Sequence, residues 1–391
     1  MKNVLVINFK SPPFQGIGGR RWSKISKGLI NKSINVHVIH AKWISGHVPE
    51  HFCNGKSISL NLQHPIRRPH SWLKKINDKK EFWRRRFNSD YTFFDEGAYS
   101  IEFLKDGIRQ MMGEQNIDWV FVSCPPYSWT YETVKLIKEE FNHVQVWVDL
   151  RDPWLTANNW GIPGLTQKQR ISEEERHRFV GQMADIISSP AIEILQEFEN
   201  CQHPKFVHLK HFYDADDFPE NRKDTSQMNA ARSWVYAGQF YVGMESYAQQ
   251  LGLFANQNSG DQILLFSKDV DRFQDKTKGY LNIKLSKEQG SKVFEEVSQC
   301  FGLILMLAEY NKDFFTTKFF DYLPYEKPIA YFGPDGKVKQ FLKKNGEQMT
   351  SFLPFEVYSL KGYDISQDEL SFRVEQILNL CQSNPSKHLS T

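Results

Sequence analysis

Two carboxylates, Asp313 and Asp321, bracket Thr316, Thr317 and Lys318 in the stretch Asp313-Phe-Phe-Thr-Thr-Lys-Phe-Phe-Asp321. Carboxylates accept hydroxyls, a lysine neutralises phosphate, and the free amides that open a helix point at anions. Were the segment one continuous helix, residues 313 and 321 would lie two turns apart on nearly the same face. Apolar runs at 303–307 and 328–332 flank it as buried strands. Strand, helix start with Thr-Thr-Lys, and acids on one face together make a pocket for a phosphorylated, hydroxyl-rich ligand, the chemistry of a nucleotide-sugar. The same spacing also fits two solvated acids on an amphipathic helix.

Further candidates sit at strand ends in the first half of the chain. Asp149-Leu-Arg-Asp-Pro-Trp154 follows an apolar strand, where α/β proteins bind ligands. Asp152 there can orient a hydroxyl or act as base, and Arg151 can meet a phosphate; an internal Arg–Asp pair that stiffens the loop is the plainer alternative. Ser123-Cys-Pro-Pro-Tyr127 ends a neighbouring strand in the same way. Gly16-Ile-Gly18-Gly19 follows the first strand and lets backbone amides approach a phosphate or sugar, or serves only as a turn. It does not make a dinucleotide fingerprint, because Arg21 stands where the third glycine belongs and the second strand ends His40-Ala-Lys-Trp43 without an acid. Asp214-Ala-Asp216-Asp217 has the look of a metal-binding Asp-x-Asp, but its polar surroundings and the following Phe-Pro favour a turn cap.

Between Arg67 and Arg86 the chain carries nine Lys or Arg against Asp78 and Glu81. Trp72, Lys74, Lys75, Trp83, Arg84, Arg85 and Arg86 are its core. Rings interleaved with cations suit an anionic bilayer surface or an acceptor surface, although a solvated basic helix has the same composition. Nucleic acid is not the expected partner.

The elements that must position these groups alternate. Apolar strands at 4–9, 35–40, 119–123 and 144–149 are separated by helical patterns at 20–31 and 131–141, followed by a helix at 173–183, a short strand at 185–189 and a helix at 191–200. After a polar stretch the pattern restarts with strands at 233–238, 263–266, 281–285, 303–307 and 329–332, and a last helix spans 367–381. This is the doubly wound α/β pattern, twice. The expected organisation is a first domain at 1–213, a linker at 214–231, a second domain at 232–365, and a closing helix with its tail at 366–391.

Composition excludes several other classes. The chain has 391 residues, 40% hydrophobic and 24% charged, so it is neither disordered nor too short for two domains. Its net charge of +3 argues against a general polyanion binder. The cysteines are odd in number, without Cys-x-x-Cys spacing, and read as reduced cytosolic thiols. The apolar run at 4–9 is too short for a signal-peptide core, and nothing approaches a membrane span. A cytoplasmic protein, peripheral to the inner face of the membrane at most, is expected.

Taken in order, these pieces resemble glycosyltransferases of the GT-B fold, in particular the glycosyltransferase family 4 type of bacterial surface-polysaccharide synthesis. The resemblance rests on Pro12-Pro13…Gly16-Ile-Gly-Gly19, Ser123-Cys-Pro-Pro-Tyr127, Asp149-Leu-Arg-Asp-Pro-Trp154, His211-Phe-Tyr-Asp214-Ala-Asp-Asp-Phe218, Tyr236-Ala-Gly-Gln-Phe240, Thr317-Lys-Phe-Phe-Asp-Tyr-Leu323 and Lys327-Pro-Ile329. It implies two Rossmann-like doubly wound domains facing each other across a cleft, the donor on the C-terminal one and the acceptor on the N-terminal one. It also implies configuration-retaining transfer with neither metal nor other cofactor. The partners implied are a nucleoside-diphosphate-sugar and a glycan or lipid-linked acceptor.

The family's paired glutamates fall on Asp313 and Asp321, both the shorter acid, with Glu309 the alternative near the donor sugar. The usual basic residue after the first strand of the second domain is missing from Gly238-Gln-Phe-Tyr-Val-Gly243. Lys318, the Thr316 and Thr317 amides, and Arg20, Arg21 or Arg151 are expected to compensate. An epimerase on the same fold and a non-catalytic scaffold that kept the fold are the rival expectations.

Overall fold

The structure, a computed structural model, describes residues 1–12, 17–42, 48–61, 95–156, 165–201, 205–218, 232–241, 243–288, 290–352 and 355–383. The chain divides into two domains, Met1–Lys210 with Arg373–Thr391, and His211–Phe372.

Among the described residues the first domain holds a parallel sheet of β1 (Asn3–Asn8), β2 (Asn35–Ala41), β3 (Ser57–Leu60), β4 (Trp119–Cys124), β5 (Gln145–Leu150), β6 (Ile186–Ser189) and β7 (Lys205–His208). Their spatial order is β3-β2-β1-β4-β5-β6-β7. The helices are α1 (Ile17–Asn31), α2 (Ile101–Glu114), α3 (Tyr127–Glu140), α4 (Gln167–Met183) and α5 (Ile192–Leu195). Strands β1, β4 and β5 are apolar on both faces because helices cover both faces of a parallel sheet. The strand order reverses between β1 and β4, the place where doubly wound sheets open a crevice for ligands.

The second domain repeats the plan with β8 (Ser233–Ala237), β9 (Gln262–Phe266), β10 (Ile283–Ser286), β11 (Gly302–Met306), β12 (Ile329–Phe332), β13 (Glu347–Phe352) and β14 (Phe355–Ser359). The order is β10-β9-β8-β11-β12-β14-β13, parallel except that β14 runs antiparallel to both β12 and β13. Its helices are α6 (Ala248–Gln257), α7 (Asp271–Thr277), α8 (Ser291–Gln299), α9 (Thr317–Tyr322) and α10 (Lys337–Asn345). Here the reversal lies between β8 and β11. The last helix, α11 (Leu370–Gln382), returns the chain to the first domain, where Lys32 pairs with Glu375.

The domain boundaries differ from those drawn on the sequence. Residues 211–218 belong to the second domain: the Tyr213 N–H donates to the Asp368 carbonyl at 3.0 Å, and Phe218 meets Tyr325 edge-on at 5.1 Å. The reason is burial, since Tyr213 and Phe218 are apolar side chains within a polar stretch. Residues 219–231 lie outside the described residues. Strands β3 and β7 escaped the sequence reading because short edge strands, half-exposed, carry little apolar alternation.

Candidate functional site

Each domain gathers its candidate residues at its own strand reversal. In the second domain, β8 ends at Gly238 and β11 leads through residues 307–316 into α9. Lys318, in the first turn of α9, lies back across this junction with its Nζ 3.6 Å from the centre of the Tyr236 ring. Gly238 makes this possible, since a Cβ there would stand 2.3 Å from both Cε and Nζ of Lys318. Tyr236 is itself fixed: it stacks on Phe240 at 4.9 Å, and its hydroxyl donates to the Gln239 carbonyl. Tyr322 of α9 closes the contact by accepting the Ala237 N–H at 3.1 Å. Burial pulls the Lys318 ammonium down to about 7, against the attraction of Asp321. A part-buried lysine held over an aromatic face, rather than on a carboxylate, is poised to gain an anionic partner.

The two acids bracketing Lys318 do not share a helix. α9 begins only at Thr317, and Asp313 stands on the turn before it. Asp313 instead accepts the Lys337 N–H at 3.2 Å and so caps α10. The expectation of two carboxylates on one helical face is therefore corrected: Phe314, Phe315 and Thr316 lie outside the helix, with Thr316 extended. Phe315 packs edge-on against Phe319 and Phe341, which draws this segment out of the helix. Asp321 remains within α9 beside Lys318. Thr316 occupies the N-cap position, and its buried hydroxyl has no protein partner; Thr317 opens the helix. Glu309 is exposed on a 3-10 turn and pairs with Lys312 at 3.2 Å.

In the first domain, α1 starts hard against the loop after β1. A Cβ on Gly19 would stand 1.6 Å from the Lys10 carbonyl oxygen, so this close approach requires glycine. Gly18 lies in the same first turn, while Gly16 falls outside the described residues. Asn8 donates to the Gly19 carbonyl at 3.2 Å. The side-chain amide oxygen of Asn8, and the hydroxyl of its register neighbour Ser123, are buried without a protein partner.

Arg151 turns back onto the Cys124 and Pro125 carbonyls, at 3.3 and 3.1 Å. Asp152 is half-buried, and burial pushes its carboxyl above the usual range, against the pull of Arg151 and Lys10. A carboxyl shifted in this direction suits a general base working near neutral pH.

The loop carrying Asp152 is tied down on every side. Tyr127 donates its hydroxyl to the Pro153 carbonyl at 2.5 Å. The Trp154 indole donates to buried Glu173 at 3.0 Å. Glu197 accepts the N–H groups of Trp154, Leu155 and Thr156 at 2.8, 3.2 and 2.8 Å, together with the Thr156 hydroxyl. His177 stacks on Phe198 at 3.8 Å, with its Nε2 3.8 Å from Glu197, and burial pulls its pKa to about 4. Nothing in the local sequence marks Glu197 or Glu173, which lie far along the chain from the residues they hold.

Arg21 does not serve as a phosphate ligand. It is buried, with Nε 2.8 Å from Asp149, and its remaining donors reach the Leu209 and Lys210 carbonyls. Asp149 also accepts the Trp22 indole and the Ser188 hydroxyl, so both charges of the pair are consumed within the fold. Asp214 accepts the Asp216 N–H and caps a 3-10 turn. All five cysteines are free thiols. The basic aromatic segment, with Trp72, Lys74, Lys75, Trp83, Arg84, Arg85 and Arg86, lies outside the described residues. Among the described residues no helix is long and apolar enough to cross a membrane.

The fold is α/β, two Rossmann-like domains with parallel-rich sheets, the GT-B fold. Three solved structures share it along nearly their whole length. Sucrose-phosphate synthase from Thermosynechococcus elongatus superposes with a TM-score of 0.59 at 11% identity, over 99% of this chain and 92% of that one. HepE from Anabaena, solved with UDP and glucose, gives 0.57 at 9% identity, over 98% and 100%. A glycosyltransferase from Rickettsia africae gives 0.57 at 10%, over 98% of each chain. No family profile matches the chain, and no curated protein matches it in sequence.

Proposed function

We propose that this protein transfers a sugar from a nucleoside-diphosphate-sugar to a glycan acceptor, in the manner of family 4 glycosyltransferases of surface-polysaccharide synthesis. The observation that carries the reading is Lys318 lying over Gly238 and Tyr236 at the strand reversal of the second domain. The fold shared with the UDP- and glucose-bound HepE is consistent with it. In this reading the second domain takes the donor: Lys318 and the amides at Thr316 and Thr317 meet the diphosphate, and Asp321 and Glu309 accept hydroxyls. The first domain takes the acceptor beside Asp152.

The acceptor hydroxyl then approaches on the face from which the nucleoside diphosphate leaves, and its bond to the anomeric carbon forms as the bond to the phosphate oxygen breaks through an oxocarbenium-like state. Asp152 receives the hydroxyl proton, and the nucleoside diphosphate departs with its charge offset by Lys318 rather than by a metal. Retention of configuration, a lipid-linked acceptor and contact of residues 67–86 with the inner membrane face belong to the same proposal.

A thermal-shift panel of UDP, GDP, ADP, CMP and NAD tests it. One nucleoside diphosphate at about 100 times its dissociation constant should add roughly 2.7 kcal/mol of stability, and Lys318→Ala should abolish that shift. Stabilisation by NAD alone, or by none of the panel, would overturn the proposal.

A further inference from the structure

The turn Ser123-Cys-Pro-Pro-Tyr127 leaves β4 beside the end of β5, since Cys124 stands opposite Leu150 in the register. Two residues beyond Leu150 lies Asp152. Among the described residues, none hydrogen-bonds its carboxylate; burial and the charges of Arg151 and Lys10 act on it without fixing its direction. The backbone on either side therefore sets its place, and the turn at 123–127 holds both sides. Arg151 gives its N–H to the Cys124 carbonyl at 3.0 Å and its guanidinium to the Cys124 and Pro125 carbonyls. On the other side, Tyr127 gives its hydroxyl to the Pro153 carbonyl at 2.5 Å, with its ring 4.9 Å from that of Trp154. Proline has no N–H, so that carbonyl is the only backbone hydrogen-bonding group of the residue next to Asp152.

The Tyr127 end of the turn is itself anchored. Asp95 accepts the Ser128 N–H at 2.9 Å, the Ser128 hydroxyl, and the Gly97 N–H at 3.0 Å. Burial, with carboxylates nearby that include Asp152, Asp95 and Glu197, holds the Tyr127 phenol well above its ordinary range, so it stays a donor. We infer that Tyr127 is a positioning residue for Asp152: its hydroxyl, acting through the Pro153 carbonyl, holds the carboxylate where an acceptor hydroxyl must give up its proton. The inference rests on the reading of Asp152 as the base and adds what keeps that base in place. A reacting group displaced by about 1 Å can lose roughly a hundredfold in rate, so a single hydroxyl is enough to matter.

The test removes that hydroxyl alone. Tyr127→Phe keeps the ring and its contact with Trp154. Ser26→Ala is the control, since it too takes a buried hydroxyl from a backbone carbonyl, that of Trp22 at 2.7 Å within α1. Two readouts are taken on wild type, both variants and Asp152→Asn. The first is the NMR titration of the Asp152 carboxyl in protein isotope-labelled at its aspartate carboxyls, the signal being identified by its loss in Asp152→Asn. The second is hydrolysis of UDP-, GDP- and ADP-glucose, with water standing in for the acceptor. In Tyr127→Phe the loosened loop admits water, so Asp152 should titrate lower than in wild type. Its kcat should fall about tenfold or more, with KM within about twofold, while Ser26→Ala matches wild type in both readouts. If Asp152→Asn loses about a hundredfold but Tyr127→Phe keeps the wild-type titration and kcat, the inference is overturned and the base stands. Equal changes in Ser26→Ala overturn it too, because the effect is then one of stability. An Asp152→Asn protein as active as wild type overturns both. Where wild type hydrolyses none of the three, the titration decides: a lowered Tyr127→Phe curve upholds the inference and a coincident one overturns it.

Discussion

Replacing Lys318 by methionine should stabilise the second domain at neutral and acid pH while destroying donor binding. The ammonium's pKa falls from the ordinary 10.5 to about 7 because burial disfavours the charged form. Between these two values the unfolded chain holds a proton that the folded chain does not, so stability rises with pH across that window. Below pH 7 both states are protonated and the cost of the buried charge is fully present. Each pH unit in the window is worth about 1.4 kcal/mol. Wild type should therefore gain about 2 to 3 kcal/mol between pH 7 and pH 9 relative to Lys318→Met, which has no such proton. The contact with Tyr236 favours the charged form by about 1 kcal/mol and moves the window upward by less than one pH unit.

Trp234 is the single tryptophan between residues 211 and 372, so its 5-fluorotryptophan NMR signal isolates that domain's urea transition. Parallel pH slopes for wild type and variant would refute the reasoning, as would a variant less stable than wild type at pH 6. The same depressed pKa predicts that binding a nucleoside diphosphate at pH 8 takes up a proton. Calorimetry in buffers of different ionisation enthalpy would register that uptake.

Other consequences are as direct. Glu197→Gln puts an amide N–H₂ among donors that now point at a carboxylate, and should cost about 2 to 4 kcal/mol; hydrogen exchange at residues 154–156 should quicken, and unchanged protection would remove the clamp. Gly19→Ala drives a Cβ into the Lys10 backbone, where no side chain can give way, and should cost about 3 kcal/mol or more by urea unfolding of the first domain. His177 has its folded pKa lowered from 6.5 to about 4, so the folded state holds fewer protons in that window and loses about 3 kcal/mol as pH falls through it. His177→Phe should flatten that acid limb, which denaturation midpoints at pH 4 and pH 7 would reveal.

The alternation of apolar strands and amphipathic helices made two doubly wound domains legible in the sequence, because burial on both faces of a parallel sheet demands continuous apolar runs. Glycines and charged residues at strand ends marked the loops of interest for a similar reason, since such residues are costly inside a sheet. Long-range partnership was not legible. Arg21, in α1, and Arg151, directly after β5, are both basic, yet one is spent on Asp149 and two backbone carbonyls while the other folds onto the neighbouring loop. Asp313 and Asp321 have helical spacing, but the packing of Phe315 against Phe319 and Phe341 leaves only Asp321 in the helix. The grip of Glu197 on residues 154–156 joins positions some forty residues apart. Lys318 finds Gly238 and Tyr236 only because β8 and β11 are neighbours in the sheet. Local periodicity determined which segments are buried; which charges pair, and which stay poised for a ligand, was decided by strand order, which brings together groups that no local pattern connects.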